Sequence, residues 1–165
     1  MESRNETALR ALDEAMETER EGIKIYEEAA AKVQDAKAKE IFLMLADAEQ
    51  QHLSDIEGMK RDVSYTYSTH AWKGDFSSEI GREIEAIGRQ YLPKSNDEIF
   101  SASALDAVDM GIKVERDSIA FYSDAQNRVT EPGVAYLFNI LLVKERVHLF
   151  LLELHRDIIT GVRLR

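Results

Sequence analysis

An internal repeat is the feature that most restricts how this 165-residue chain can fold. Four residues of the first half recur in the second half at one fixed offset of 96 positions. These residues are Glu19, Tyr26, Glu49 and His52, and their counterparts are Glu115, Tyr122, Glu145 and His148. Apolar positions such as Phe42 and Phe138 keep the same offset. The two halves are therefore expected to be two copies of one structural unit.

The chain favours long helices, because it contains only 8 Gly and 2 Pro and many residues with high helix propensity. Apolar residues at helical spacing predict four helices, at about 6–33, 36–62, 102–130 and 133–160. We expect Asp35 to cap the second helix, Ser101 or Ser103 to cap the third, and Pro132 to open the fourth.

Residues 63–101 differ in composition, with several aromatic residues and glycines. This segment is interpreted as a crossover connection with a short helix near Ser78–Arg89, because returning from one end of a bundle to the other takes such a length. The predicted fold is all-α: a single domain over residues 1–165, folded as a four-helix bundle with a long crossover between helices 2 and 3.

Charge and composition exclude several classes of function. The formal net charge of −10 opposes binding to nucleic acid or to an anionic membrane surface. The chain has no cysteine, which excludes disulfides, iron–sulfur clusters and thiol nucleophiles. Its N-terminus is polar, and the sequence has no apolar stretch long enough to span a membrane. We therefore expect a cytoplasmic protein without nucleic-acid or membrane partners.

The repeated Glu-x-x-His motif carries the predicted chemistry. Residues three positions apart project from nearly the same face of a helix. Two such helices facing each other, with one further inward glutamate from each remaining helix, form the ligand set of a dimetal carboxylate bundle. Four carboxylates balance the charge of two divalent ions. The predicted metal ligands are Glu19, Glu49, His52, Glu115, Glu145 and His148. This mixed set suits two iron ions or manganese best, and zinc can occupy it.

Other polar residues near the repeat have simpler interpretations. Tyr26 and Tyr122 lie two helical turns after Glu19 and Glu115, where they either hydrogen-bond a ligand carboxylate or pack in the core. His155 is interpreted as a positive charge in the last turn of the fourth helix. Surface positions are predicted for three further residues, namely His70, Glu57 and Glu153.

The pattern resembles the rubrerythrin-type diiron domain of the ferritin-like superfamily, most clearly over residues 104–122. The resemblance implies six iron ligands, with Glu49 and Glu145 bridging the two ions. Ser118 stands where classical rubrerythrins carry an additional glutamate ligand, and Gln50 stands where bacterioferritins carry a haem-ligating methionine. The rubredoxin-like domain and its four cysteines are missing from these 165 residues. Electrons would therefore have to come from an external donor, such as a rubredoxin-like protein.

The leading functional hypothesis is a non-haem diiron oxidoreductase that reacts with hydrogen peroxide or oxygen, as a peroxidase or a ferroxidase. Three alternatives remain open. They are an iron storage or delivery protein, a hydroxylase of the quinone-modifying type, and a non-enzymatic sensor or structural zinc bundle. The apolar run Leu149–Leu152 covers more than half the circumference of its helix, so a homodimer, or contact with the crossover, is expected there.

Overall fold

The computed structural model describes residues 4–65, 81, 85 and 104–161, and for Tyr65 only the backbone. Four long helices account for nearly all of this part of the chain: α1 (Arg4–Lys32), α2 (Ala36–Tyr65), α3 (Leu105–Arg128) and α4 (Pro132–Ile159). No strand occurs within the described ranges. The all-α prediction is therefore confirmed. Most of the crossover predicted for residues 63–101, including His70, lies outside the described residues; Gly81 and Glu85 are helical.

Local sequence explains most of the helix ends. Asp35 Oδ1 accepts hydrogen bonds from the backbone amides of Lys37 and Ala38, at 3.0 and 2.9 Å, and so caps α2 as predicted. The carboxylate of Glu131 accepts a 2.8 Å hydrogen bond from Val134 N, and Pro132 opens α4. Gly161 follows α4 with a φ of 71°, which suits glycine.

The predicted serine cap of α3 is wrong. Ala104 occupies the N-cap position, and it makes no side-chain capping hydrogen bond. The helix is instead fixed by burial, since Ala104 and Val108 pack into the core.

Ion pairs and hydrogen bonds between helices define the topology. Lys60 near the end of α2 and Arg128 at the end of α3 pair with Asp13 and Glu14, which are neighbours on α1. Near the start of α3, the carbonyl oxygen of Gly111 lies 3.4 Å from the hydroxyl oxygen of Tyr26, which is at the other end of α1. Helices α2 and α3 are therefore both antiparallel to α1. It follows that α2 ends and α3 begins at opposite ends of the bundle.

The apolar core forms two layers, one toward each end of the bundle. In each layer a buried tyrosine packs against a buried phenylalanine. Tyr26 lies 6.2 Å from Phe42 and Tyr122 lies 5.6 Å from Phe138 between ring centroids. These four residues are two repeat-related pairs, and all four are fully buried. The repeat is thus visible in the packing, and the space between the layers is left for the polar residues.

The run of apolar residues in α4 is only partly covered. Leu151 and Leu152 are fully buried, whereas Phe150 is 60% exposed. The expected homodimer contact stays a prediction. Within the described residues, no helix is long and apolar enough to cross a lipid bilayer.

Candidate metal centre

All six predicted metal ligands lie together between the two apolar layers. Helix α1 contributes Glu19 and α3 contributes Glu115. The Glu-x-x-His motifs of α2 and α4 contribute a glutamate and a histidine each. All six side chains are buried, at no more than 2% exposure. The helical spacing brings each Glu and His of a motif to the same face, and the antiparallel arrangement turns all four faces inward.

The six residues form two overlapping groups. The first contains Glu19, Glu49, His52 and Glu145, and the second contains Glu49, Glu115, Glu145 and His148. Within each group, one ligand atom from every residue lies within 4.8 Å of all the others. Glu49 and Glu145 belong to both groups. This is the arrangement of two neighbouring ion sites that share a pair of carboxylates.

The two histidines present Nδ1 to the carboxylates. His52 Nδ1 lies 2.8 Å from Glu49 Oε2 and 3.1 Å from Glu145 Oε1. His148 Nδ1 lies 3.7 Å from Glu145 Oε2 and 3.8 Å from Glu115 Oε2. The imidazole rings stack with their centroids 5.4 Å apart. Each ring therefore presents one nitrogen to one of the two groups.

Each of the two buried tyrosines makes a hydrogen bond to a glutamate in the other half of the chain. Tyr26 of α1 donates its hydroxyl hydrogen bond to Glu115 of α3, and Tyr122 of α3 donates to Glu19 of α1. Both tyrosines are also fully buried, so each ring packs in the core while its hydroxyl reaches a carboxylate. Each hydroxyl fixes the orientation of a carboxylate that faces the centre of the bundle.

The chemistry of the cluster fits a pair of metal ions. Among the described residues, Glu49 Oε1, Glu115 Oε2 and Glu145 Oε2 are buried and make no hydrogen bond. Buried carboxylate oxygens without a partner are strongly disfavoured unless a cation or a proton neutralises them. Four carboxylates and two neutral imidazoles are the donor set for two divalent ions.

Burial and mutual charge shift the pKa values of the clustered residues away from their ordinary values. Burial raises the pKa of Glu19 well above its ordinary value, and the nearby Glu49 adds to the shift. Burial likewise raises the pKa of Glu115, with Glu145 and Glu49 adding to it. Burial by itself would lower the pKa of His52, but the charge of Glu49 and the contact with Glu145 raise it. Burial would raise the pKa of Glu145, but His148 and His52 lower it.

These shifts predict that the metal-free protein loses stability as the pH rises. A group whose pKa is higher in the folded state stabilises the fold below its unfolded pKa, about 4.3 for Glu and about 6.5 for His. That stability is lost as the pH rises through the folded value. The free energy of unfolding, measured in urea, should therefore fall as the pH rises above about 4.3, and the fall should continue above about 6.5 as His52 loses its proton. Glu145 has the opposite sign, but its effect falls below about pH 4.5.

A double variant provides the control for this pH dependence. In Glu19→Gln with Glu115→Gln, the side chains keep their size but cannot titrate. The fall in stability should become shallower. An unchanged slope, or stability that rises with pH in the metal-free wild type, would contradict the assignment.

Removing either tyrosine hydroxyl should weaken metal binding. Tyr122→Phe leaves Glu19 without its buried hydrogen-bond donor, and loss of such support costs about 10–100-fold in metal affinity. By the symmetry of the repeat, Tyr26→Phe should have a similar effect through Glu115. Affinity can be measured by competition with a chromophoric chelator. Tyr136→Phe is the control, since Tyr136 is 46% exposed and outside the cluster. Equal affinities for all three variants would contradict the role of the crossed hydrogen bonds.

The fold and the cluster together define the class of this protein. It is a ferritin-like four-helix bundle with a buried carboxylate and histidine site suited to metal ions. The family model described as Rubrerythrin matches residues 10–155, and the chain belongs to that family.

A solved structure supports the fold. The chain superposes with a TM-score of 0.70 on a two-domain protein from Anabaena variabilis that contains DJ-1/ThiJ/PfpI-like and ferritin-like domains. The match covers 99% of this chain and 40% of the other, at 14% identity. The chain therefore spans less than half of that protein, and the likeness concerns the fold alone. Among curated proteins, no significant match is found.

The structure also corrects the interpretation of one histidine. His155 is buried, and its Nδ1 donates a 2.6 Å hydrogen bond to the carbonyl of Leu151. It is thus not a solvated charge at the end of α4, and it is not part of the metal cluster. The surface positions predicted for Glu57 and Glu153 agree with the structure, where the two side chains are half-exposed and pair with Arg20 and Arg116.

Proposed function

We propose that this protein is a non-haem diiron oxidoreductase that reacts with hydrogen peroxide or oxygen. The observation that carries the proposal is the pair of overlapping ligand groups with Glu49 and Glu145 in common. Shared carboxylates hold two ions close together, which suits a reaction that needs two electrons at one place. The family and the ligand set support iron, because mixed glutamate and histidine ligation suits iron or manganese.

The six predicted ligands divide into one set for each metal ion and one shared pair. Glu19 and His52 would hold one ion, Glu115 and His148 would hold the other, and the two shared glutamates would bridge them. When bound, two ferrous ions supply the two electrons that, with two protons, reduce hydrogen peroxide to two molecules of water.

The protein fixes the positions of the ligands, supplies their negative charge and excludes water from the site. Burial of all six side chains excludes bulk water, so the carboxylates interact strongly with whatever cation lies between them. The hydroxyls of Tyr26 and Tyr122 hold Glu115 and Glu19 in place, so that little reorganisation is needed during the reaction. Repeated turnover requires a reductant, and we propose an external donor such as a rubredoxin-like protein.

Without a sufficient supply of reductant, the same site would act as a ferroxidase. The experiment that tests the proposal starts with anaerobic protein loaded with ferrous iron. One equivalent of hydrogen peroxide per site should oxidise both irons, and added reductant should restore them for another cycle. Failure of peroxide and of oxygen to oxidise the loaded protein would reject the function. Slow oxidation by oxygen alone, in a large assembly that accumulates many irons per chain, would favour iron storage instead.

A further inference from the structure

A cavity of about 170 Å³ lies between α1 and α3, on the side of the bundle that carries Glu19 and Glu115. Its rim is exposed and includes Glu21, Met110 and Lys113, and its floor is formed by the buried residues Gly22 and Ser118. The cavity therefore leads from solvent toward the interior between the two helices.

The floor of the cavity lies directly next to the metal cluster. Gly22 is three residues after Glu19 and Ser118 is three residues after Glu115, so each shares a helix face with a ligand. The two floor residues are also related by the internal repeat, at the same offset as the ligands. The cavity thus has on its floor one residue from each half of the chain, each one helical turn after a predicted ligand.

Gly22 faces Glu49, one of the two shared carboxylates, across a gap that a side chain would enter. A Cβ atom added at this position would lie 3.5 Å from Glu49 Cγ and 3.9 Å from Glu49 Oε1. That oxygen is buried and has no hydrogen-bond donor among the described residues. At this point the cavity is separated from the cluster by a residue without a side chain. On the α2 and α4 side, by contrast, the stacked rings of His52 and His148 are fully buried.

We propose that this cavity is the route by which the oxidant reaches the metal cluster, and that Gly22 and Ser118 set its size limit. The inference rests on the proposed function and specifies its substrate class. The site should accept hydrogen peroxide or dioxygen, whereas alkyl hydroperoxides such as tert-butyl hydroperoxide should be excluded, because their bulky carbon group cannot pass between the two helices at the floor.

Two substitutions narrow the floor, and one provides a matched control. Gly22→Ala adds a methyl group at ordinary van der Waals distance from Glu49 and raises helix propensity, so the fold should be retained. Ser118→Leu fills the floor from the opposite helix. Gly58→Ala makes the same chemical change on α2, where a Cβ atom would meet only the Arg61 guanidinium at 3.8 Å. The control therefore tests the effect of an added helix alanine by itself.

The first measurement needs no turnover. Protein loaded with cobalt(II) is mixed with azide, and the association rate constant is followed by the visible spectrum of the metal. Ser118→Leu should lower this rate constant by about tenfold or more, and Gly22→Ala should lower it by about threefold, because a narrower floor raises the activation barrier for azide to enter. Gly58→Ala should match the wild type. Equal rate constants in all four fully loaded proteins would overturn the proposal.

A second measurement separates this inference from the proposed function. Ferrous-loaded wild type is mixed with hydrogen peroxide or with tert-butyl hydroperoxide. Fast oxidation by the first and at least about tenfold slower oxidation by the second supports the size limit. Equal rates with both oxidants overturn it. If azide binding depends on the two floor residues but neither oxidant reacts, the oxidoreductase function is rejected and the cavity is retained as the ligand route.

Discussion

Replacing Glu145 by alanine is expected to abolish tight binding of both metal ions. Glu145 belongs to both ligand groups and is fully buried, with its carboxylate 3.1 Å from His52 Nδ1 and 3.7 Å from His148 Nδ1. Its loss removes one ligand from each ion and one of the four negative charges that balance them. Since loss of a supporting residue alone costs about 10–100-fold in metal affinity, loss of a shared ligand should cost more than about 100-fold. Metal per chain after dialysis measures the effect.

A glutamate substitution outside the cluster, on the same helix, tests whether metal binding depends on the buried position of Glu145. Glu153→Ala also removes a negative charge from α4, but Glu153 is half-exposed and pairs with Arg116 at 2.8 Å. This variant should retain full metal content. Glu49→Ala should behave like Glu145→Ala, because the repeat relates the two positions. Retention of two ions by Glu145→Ala, or equal loss in Glu153→Ala, would contradict the assignment of the cluster.

Removing the metal should lower the thermal stability of the protein by a large amount. Ions that bind only the folded state stabilise it by about 4 kcal/mol when their concentration is a thousand times Kd. For a domain of this size each kcal/mol corresponds to about 2–4 °C, so the melting temperature should fall by about 8–16 °C on chelation. Stability falls on metal removal because the clustered carboxylates are buried and are neutralised only by metal or by protons.

The metal-free form of a ligand variant is the control for this effect. Adding ferrous iron to Glu145→Ala should leave its melting temperature nearly unchanged. The acidic surface, with a net charge of −10, binds cations weakly, and magnesium at the same concentration reports that contribution. A wild-type melting temperature that does not respond to chelation or reconstitution would show that the cluster is not occupied.

Much of the fold and the location of the candidate site could be predicted from sequence, because the repeat and the helical period constrain each other. Once Glu49 and His52 are on one face of a helix, and the same motif recurs at Glu145 and His148, a bundle of facing helices places all four together. Asp35 and Pro132 defined helix starts for a similar reason, since their chemistry suits those positions.

Features that depend on how the helices pack against one another could not be predicted from the repeat and the helical period. The tyrosine hydrogen bonds cross from α1 to α3 because those helices are antiparallel, and helical spacing within one chain segment does not reveal that. His155 is buried because α4 is apolar around most of its circumference, which overrides the usual preference of a terminal histidine for solvent. The start of α3 is set by packing of Ala104, where a polar cap was expected.

Whether the buried cluster is a redox-active diiron site is tested by the metal content of protein purified from its native host, with absorption spectra before and after peroxide is added to the reduced form. We expect about two irons per chain, in keeping with the two ligand groups, and a near-ultraviolet diferric absorption that develops on peroxide addition. Zinc or no metal, unchanged after reconstitution with ferrous iron, would contradict it.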